Sequence, residues 1–146
     1  MFYKILPSCP GFIALDSVGD LLVPTIEKLH FVFLYGSLEP IICEQNQFLA
    51  TDEVQQAVMG LSPAPDSVLF TREDLRISTD GFQFDGLWPH LMSKIDDYLW
   101  MKISGRAGVD DFGLLRSQLI ISERIYESIK GLQFEFGTFE EWSDGN

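Results

Sequence analysis

Apolar residues along this chain recur in short runs whose spacing shifts between two and roughly three to four positions, the periods of strands and helices. The pattern is densest near the C-terminus. Leu119-Ile120-Ile121 is an apolar run rich in β-branched residues, as strands are. Ser122 follows where an N-cap is wanted, its hydroxyl placed to accept from an orphan N–H of the first helical turn. Ile125, Ile129 and Leu132 then fall on one helical face, with Glu123, Glu127 and Lys130 on the other and Gly131 set as a C′ residue. Beyond it Leu132, Phe134 and Phe136 alternate with Gln133 and Glu135, the period of a half-buried strand. These eighteen or so residues predict a β-α-β unit. The crossover from Ile121 to Leu132 is close to the shortest that can join parallel neighbours, so strand order there stays open.

Upstream, Phe2 to Leu6 and Phe12 to Leu15 predict strands joined through the Pro10-Gly11 turn signal as a hairpin or meander. Asp20 caps a predicted helix to Leu29, with Pro24 in its first turn. Phe31 to Tyr35 is a continuous apolar run, suited to a strand covered on both faces. Strands are further predicted at Ile41 to Glu44, Val68 to Phe70, Leu75 to Ile77 and Tyr98 to Ile103. Helices are predicted from Asp52 to Met59, capped by Thr51 and ended by Gly60, and from Trp88 to Asp97. Ser62-Pro63-Ala64-Pro65 reads as a surface connection and Gly105 to Gly113 as a loop. Strands and helices alternate without a regular rhythm. That predicts a single α+β domain over residues 1–146, with a mixed or antiparallel sheet, short helices and the β-α-β unit at its end.

The C-terminal pattern, an apolar strand running into Ser122-Glu123-Arg124, a short helix, and then Gly131-Leu132-Gln133-Phe134, resembles the end of a family of bacterial immunity proteins that accompany polymorphic secreted toxins. The resemblance spans about the last third of the chain. It implies a protein that binds and neutralises a cognate toxin domain in the cytoplasm of the producing cell, without catalysis.

Composition adds to this picture. Twenty-two acids against ten bases give a formal charge of −12, which repels nucleic acid and favours encounter with a basic protein surface. No apolar run approaches the length of a membrane span, and the proline-interrupted N-terminus does not read as a signal peptide, so the expected compartment is the cytoplasm. Cys9 and Cys43 are the only cysteines; reduced, buried thiols are the expectation, with one bridge open to them.

Motifs for chemistry are sparse. Neither cysteine has a local histidine; packing or strand-end roles suffice for Cys43 and His30, while His90 falls in the first turn of a predicted helix. No Cys-x-x-Cys or His-x-x-x-His grouping points to a metal, Phe82 and Phe84 spoil the calcium-loop likeness of Asp80 to Asp85, and Ser104 to Gly108 lacks a phosphate-binding fingerprint, so no cofactor is expected. In the resembling Ser-Glu-Arg run, cap, dipole partner and surface charge suffice as roles for Ser122, Glu123 and Arg124.

Acidic doublets remain. Asp110-Asp111 beside Phe112, and Glu140-Glu141 beside Trp142, join charge to a large aromatic outside the strong element signals, which is how a surface for a basic partner is composed. These six residues are the predicted partner-binding set, and the segment Asp80 to Trp88 is a second candidate patch. Rival readings are a non-catalytic adaptor that binds a basic partner, and a small enzyme whose scattered carboxylates only the fold assembles.

Overall fold

A computed structural model describes residues 1–14, 17, 27–34, 39–79, 95–135 and 137–143. Among these, the elements in chain order are β1 (Phe2–Leu6), β2 (Gly11–Ile13), β3 (Leu29–Phe33), β4 (Ile41–Glu44), β5 (Gln47–Thr51), α1 (Asp52–Met59), β6 (Val68–Thr71), β7 (Leu75–Thr79), β8 (Tyr98–Ile103), β9 (Phe112–Leu115), β10 (Gln118–Ser122), α2 (Glu123–Ile129) and β11 (Thr138–Trp142). The strands form three sheets: A, in the order β11-β1-β10-β9; B, in the order β4-β5-β8-β6; and C, in the order β2-β3-β7. Among the described residues every strand pairing is antiparallel except that of β3 with β7, so the chain is an α+β domain of mostly antiparallel sheets with short helices.

Sheet B is the middle layer. Along β5, Phe48 and Ala50 enter one core and Leu49 the other; along β8, Met101 enters the first, and Tyr98 and Trp100 the second. A strand buried on both faces has no polar side to show, which is why these segments read as continuous apolar runs and not as alternation. The first core fills the space bounded by sheet A, sheet B and helices α1 and α2, joining Ile5, Leu119 and Ile121 to Ile41 and Phe48, with Val54, Val58, Ile125 and Ile129 from the helices. The second lies between sheets B and C around Phe31, Phe33, Ile42 and Tyr98.

The C-terminal β-α-β unit is present in a split form. Both β10 and β11 run antiparallel to β1, so they are parallel to each other with β1 inserted between them. The last strand is displaced from its predicted place. Residues 132 to 135 are irregular and β11 starts at Thr138, because Leu132 and Phe134 pack onto the first core directly from the turn that follows α2. Helix α2 ends where expected but by a different device: its C-cap is Lys130 in the right-handed region (φ −60°, ψ −24°), and Gly131 needs no left-handed conformation.

Other expectations need correction. β1 and β2 form neither hairpin nor meander; β1 pairs in sheet A and β2 in sheet C, because the Pro7-Ser8-Cys9-Pro10 connection carries the chain from one sheet to another. The predicted helix from Asp20 falls outside the described residues up to Ile26, and Leu29, its intended end, opens β3. The helix predicted from Trp88 lies outside them up to Lys94, and Ile95 is buried just before β8. Two strands had no counterpart in the sequence reading: β5, and β9, which begins inside the predicted Gly105 to Gly113 loop. No helix among the described residues is long and apolar enough to cross a membrane.

Candidate functional site

The two predicted acidic patches lie at opposite edges of sheet A. The ladder runs Phe112, Ile121, Tyr3, Glu141 across the sheet, so the doublets are three strand spacings apart, roughly 14 Å. They do not form one surface, and the fold uses them differently.

At the β9 edge, both acids are engaged within the chain. The Asp110 carboxylate accepts from the Arg106 backbone N–H at 2.7 Å, closing the loop before β9. The Asp111 carboxylate is held by a fork: Arg124 Nε donates to Oδ1 at 3.0 Å and Nη2 to Oδ2 at 2.6 Å, while the Ser122 hydroxyl donates to Oδ1 at 2.5 Å. Arg124 Nη1 also donates to the Pro63 carbonyl at 2.6 Å, fastening the proline connection to α2. The guanidinium holds the Asp111 carboxyl below its ordinary range, and the Ser122 hydroxyl adds to this against the opposing effect of burial. Thus Ser122 occupies the N-cap position without making the cap hydrogen bond, and Arg124 is a strut between three segments. Phe112 is fully buried in the first core, so its ring belongs to packing and is not exposed for a partner to contact.

The β11 edge faces outward. Glu140 is exposed and pairs with Lys4 of β1 at 3.3 Å, and Glu141 is exposed at the end of the row that contains Tyr3. Trp142 is 8 % exposed, its ring edge-on to Phe2 at 6.3 Å. Its indole N–H is buried without a hydrogen-bond partner among the described residues. Phe139 turns inward, packing edge-on against Tyr126 and Phe134 while Tyr126 stacks on Tyr3 at 3.9 Å. The candidate patch at Asp80 to Trp88 lies outside the described residues.

A residue that sequence reasoning missed anchors this side. Glu39 is 2 % exposed; its carboxylate accepts from the backbone N–H of Glu135 at 2.5 Å and from that of Gly137. The Tyr98 hydroxyl donates to the Glu39 carbonyl at 2.6 Å, and burial raises the phenol further from ionisation. The available signal was an acid set between Leu38 and Pro40 just before an apolar strand, where a solvated charge is out of place.

Beside this clamp opens a cleft of about 410 Å³ between the start of α1, the start of β8 and the turn after α2. Asp52, Glu53 and Asp97 give it acidic walls, with Pro40, Tyr98 and Gln133 between them. Arg72 Nη2 donates to both carboxylate oxygens of Asp52, at 3.1 and 3.2 Å. The segment held by Glu39 runs from this cleft into β11, joining the two acid-bearing places. A second cavity, of about 260 Å³, has Lys28, His30 and Arg76 on its walls, and His30 Nε2 lies 2.7 Å from Ser78 Oγ, a link across the parallel β3–β7 pair. No group of three or more His, Cys, Asp or Glu is gathered for a metal ion among the described residues.

No protein-family model matches the chain, and neither a curated protein nor a solved structure gives a significant match.

Proposed function

We infer that this protein is an immunity protein, which binds a cognate secreted toxin domain and blocks its active site or substrate groove. The observation that carries this reading is the C-terminal run from Leu119 to Phe134, with its resemblance to immunity proteins of polymorphic toxins. Charge supports it: a protein at −12 attracts a cationic partner, as toxins that act on nucleic acids must be where they contact phosphates. The surface best suited to that partner is the β11 edge with Glu140 and Glu141, continued by the cleft beside α1, since basic side chains entering there would meet the exposed carboxylates of Glu53 and Asp97, with Asp52 already engaged by Arg72. Asp110, Asp111 and Phe112 support the interface only indirectly, through the integrity of the fold.

The test is to look for a toxin gene beside this chain's gene and to produce the toxin domain found there with and without the chain. Protection of the cells and a stable complex in size-exclusion chromatography are the expected result. A toxin domain that kills equally in both cases, with no complex formed, would rule the reading out in favour of an adaptor in another assembly.

A further inference from the structure

The segment Pro7 to Pro10 is where the three sheets meet. β1 of sheet A ends at Leu6 and β2 of sheet C starts at Gly11, while Ser8 between them makes a parallel bridge to Ile42 of sheet B, supported by the Cys43 N–H donating to the Ser8 carbonyl at 3.1 Å. One step along that bridge lie Cys9 and Cys43, 34 residues apart in sequence, with their sulfurs 3.3 Å from each other and no disulfide between them. Residues paired across neighbouring strands have Cα atoms about 5 Å apart, inside the span a disulfide requires. The backbone therefore already holds this pair at bridging distance.

We propose that Cys9 and Cys43 are a reversible redox couple, oxidised by low-molecular-weight disulfides to a bond that staples the junction of the three sheets. The two cysteines are placed for unequal roles. Cys9 is exposed, whereas burial pushes the Cys43 thiol well above its ordinary range, with the nearby Cys9 adding to the shift. Cys9 is the first attacker: its thiolate, having given its proton to solvent, attacks one sulfur of the small disulfide and expels one thiolate, which is protonated. Cys43 then loses its proton and attacks Cys9 Sγ in the mixed disulfide, expelling the second small thiol. Two electrons and two protons pass from the protein to the small disulfide, and the protein gains one S–S bond. Excess small thiol reverses both steps.

The experiment uses the reduced full chain equilibrated with oxidised and reduced glutathione in varying ratio, quenched with acid and read by intact mass and by peptide mapping. An intramolecular Cys9–Cys43 bond is expected to become the main species as the buffer turns oxidising, and thermal unfolding of that species to rise by roughly 10 °C, because the bond closes a long loop. Cys43→Ser should accumulate a glutathione adduct on Cys9, while Cys9→Ser should stay largely unmodified; thermal unfolding of both variants in reductant checks that they fold. A lasting glutathione adduct or a disulfide-linked dimer in the parent chain would overturn the proposal, and so would an oxidised form no more stable than the dithiol. Faster glutathionylation of Cys43 in Cys9→Ser than of Cys9 in Cys43→Ser would overturn the assigned order.

Discussion

At one edge of sheet A, Asp111 is forked by Arg124 and the neighbouring Phe112 is sealed in the core; at the other, Glu140 and Glu141 stand in solvent beside a largely covered Trp142. In sequence the two places look alike, an acidic doublet against a large aromatic. They differ in what covers them. The Gly105 to Asp110 loop lies over β9 so closely that a Cβ on Gly113 would come within 2.2 Å of the Ala107 backbone, and α2 brings Arg124 down on the same edge. Near β11 the added cation is Lys4, at the side of one acid. Acidity alone therefore does not distinguish the two edges; Asp111 is forked and partly buried, whereas Glu140 meets Lys4 in an exposed pair and Glu141 stays in solvent.

The largest expected effect tests the sealed side. Phe112→Ala should lower stability by roughly 3–5 kcal/mol in chemical denaturation, as removal of a fully buried ring does. A change near zero would mean the ring is outside the core and the contrast between the edges is false.

Next in size is the fork. Arg124→Ala should lower stability by about 1 kcal/mol, since the pair is partly solvated and water moderates such interactions. Asp111→Asn should behave similarly at neutral pH. The folded carboxyl titrates below its unfolded value, so its contribution is fully present above the unfolded pKa and is lost as pH falls through the folded one. The stability gap between the parent and Asp111→Asn should accordingly narrow below about pH 4. A gap constant from neutral to strongly acidic pH would remove the fork from the explanation.

A smaller change should go the other way. Arg116 and Ser117 join β9 to β10 with φ of 51° and 66°, so Ser117→Gly should raise stability by roughly 0.5–1 kcal/mol, visible as a higher denaturation midpoint. At the open edge, Glu140→Lys with Glu141→Lys should alter stability by less than about 0.5 kcal/mol. Binding to a basic toxin domain should slow, with a weaker dependence on salt, in surface plasmon resonance at two ionic strengths. Unchanged association would move the interface to the cleft walled by Asp52, Glu53 and Asp97.

The Arg116-Ser117 turn also explains part of what the sequence concealed. A two-residue hairpin loop with both φ positive usually announces itself through Asn, Asp or Gly. With Arg and Ser there, and Gly113 interrupting the apolar pattern, β9 looked like loop and Phe112 like a free aromatic. The turn into β5 is Gln45-Asn46, where Gln45 at φ 53° takes the left-handed position that Gly or Asn more often fills. Helices α1 and α2 were legible because their faces and first-turn acids are set locally, and β1, β4 and β8 because an apolar run already defines each of them. Partnership was less so. Nothing in Phe2 to Leu6 says that it pairs with Gln118–Ser122 and Thr138–Trp142, and nothing near Asp111 says that Arg124 will reach it, for both depend on closing long stretches of chain.

That insertion of β1 between β10 and β11 bears on how the molecule is made. On a ribosome β1 emerges ahead of the other described strands, whereas both of its neighbours emerge after those of sheets B and C, so its backbone donors and acceptors must wait for the intervening chain to appear. Sheet B, whose strands span the middle of the sequence, can assemble earlier and offer a surface on which the late strands collect. Completion of sheet A is then a closing step governed by the entropy of joining distant segments, and a nascent chain halted before β10 would leave β1 as an exposed, unpaired edge open to pairing with other chains.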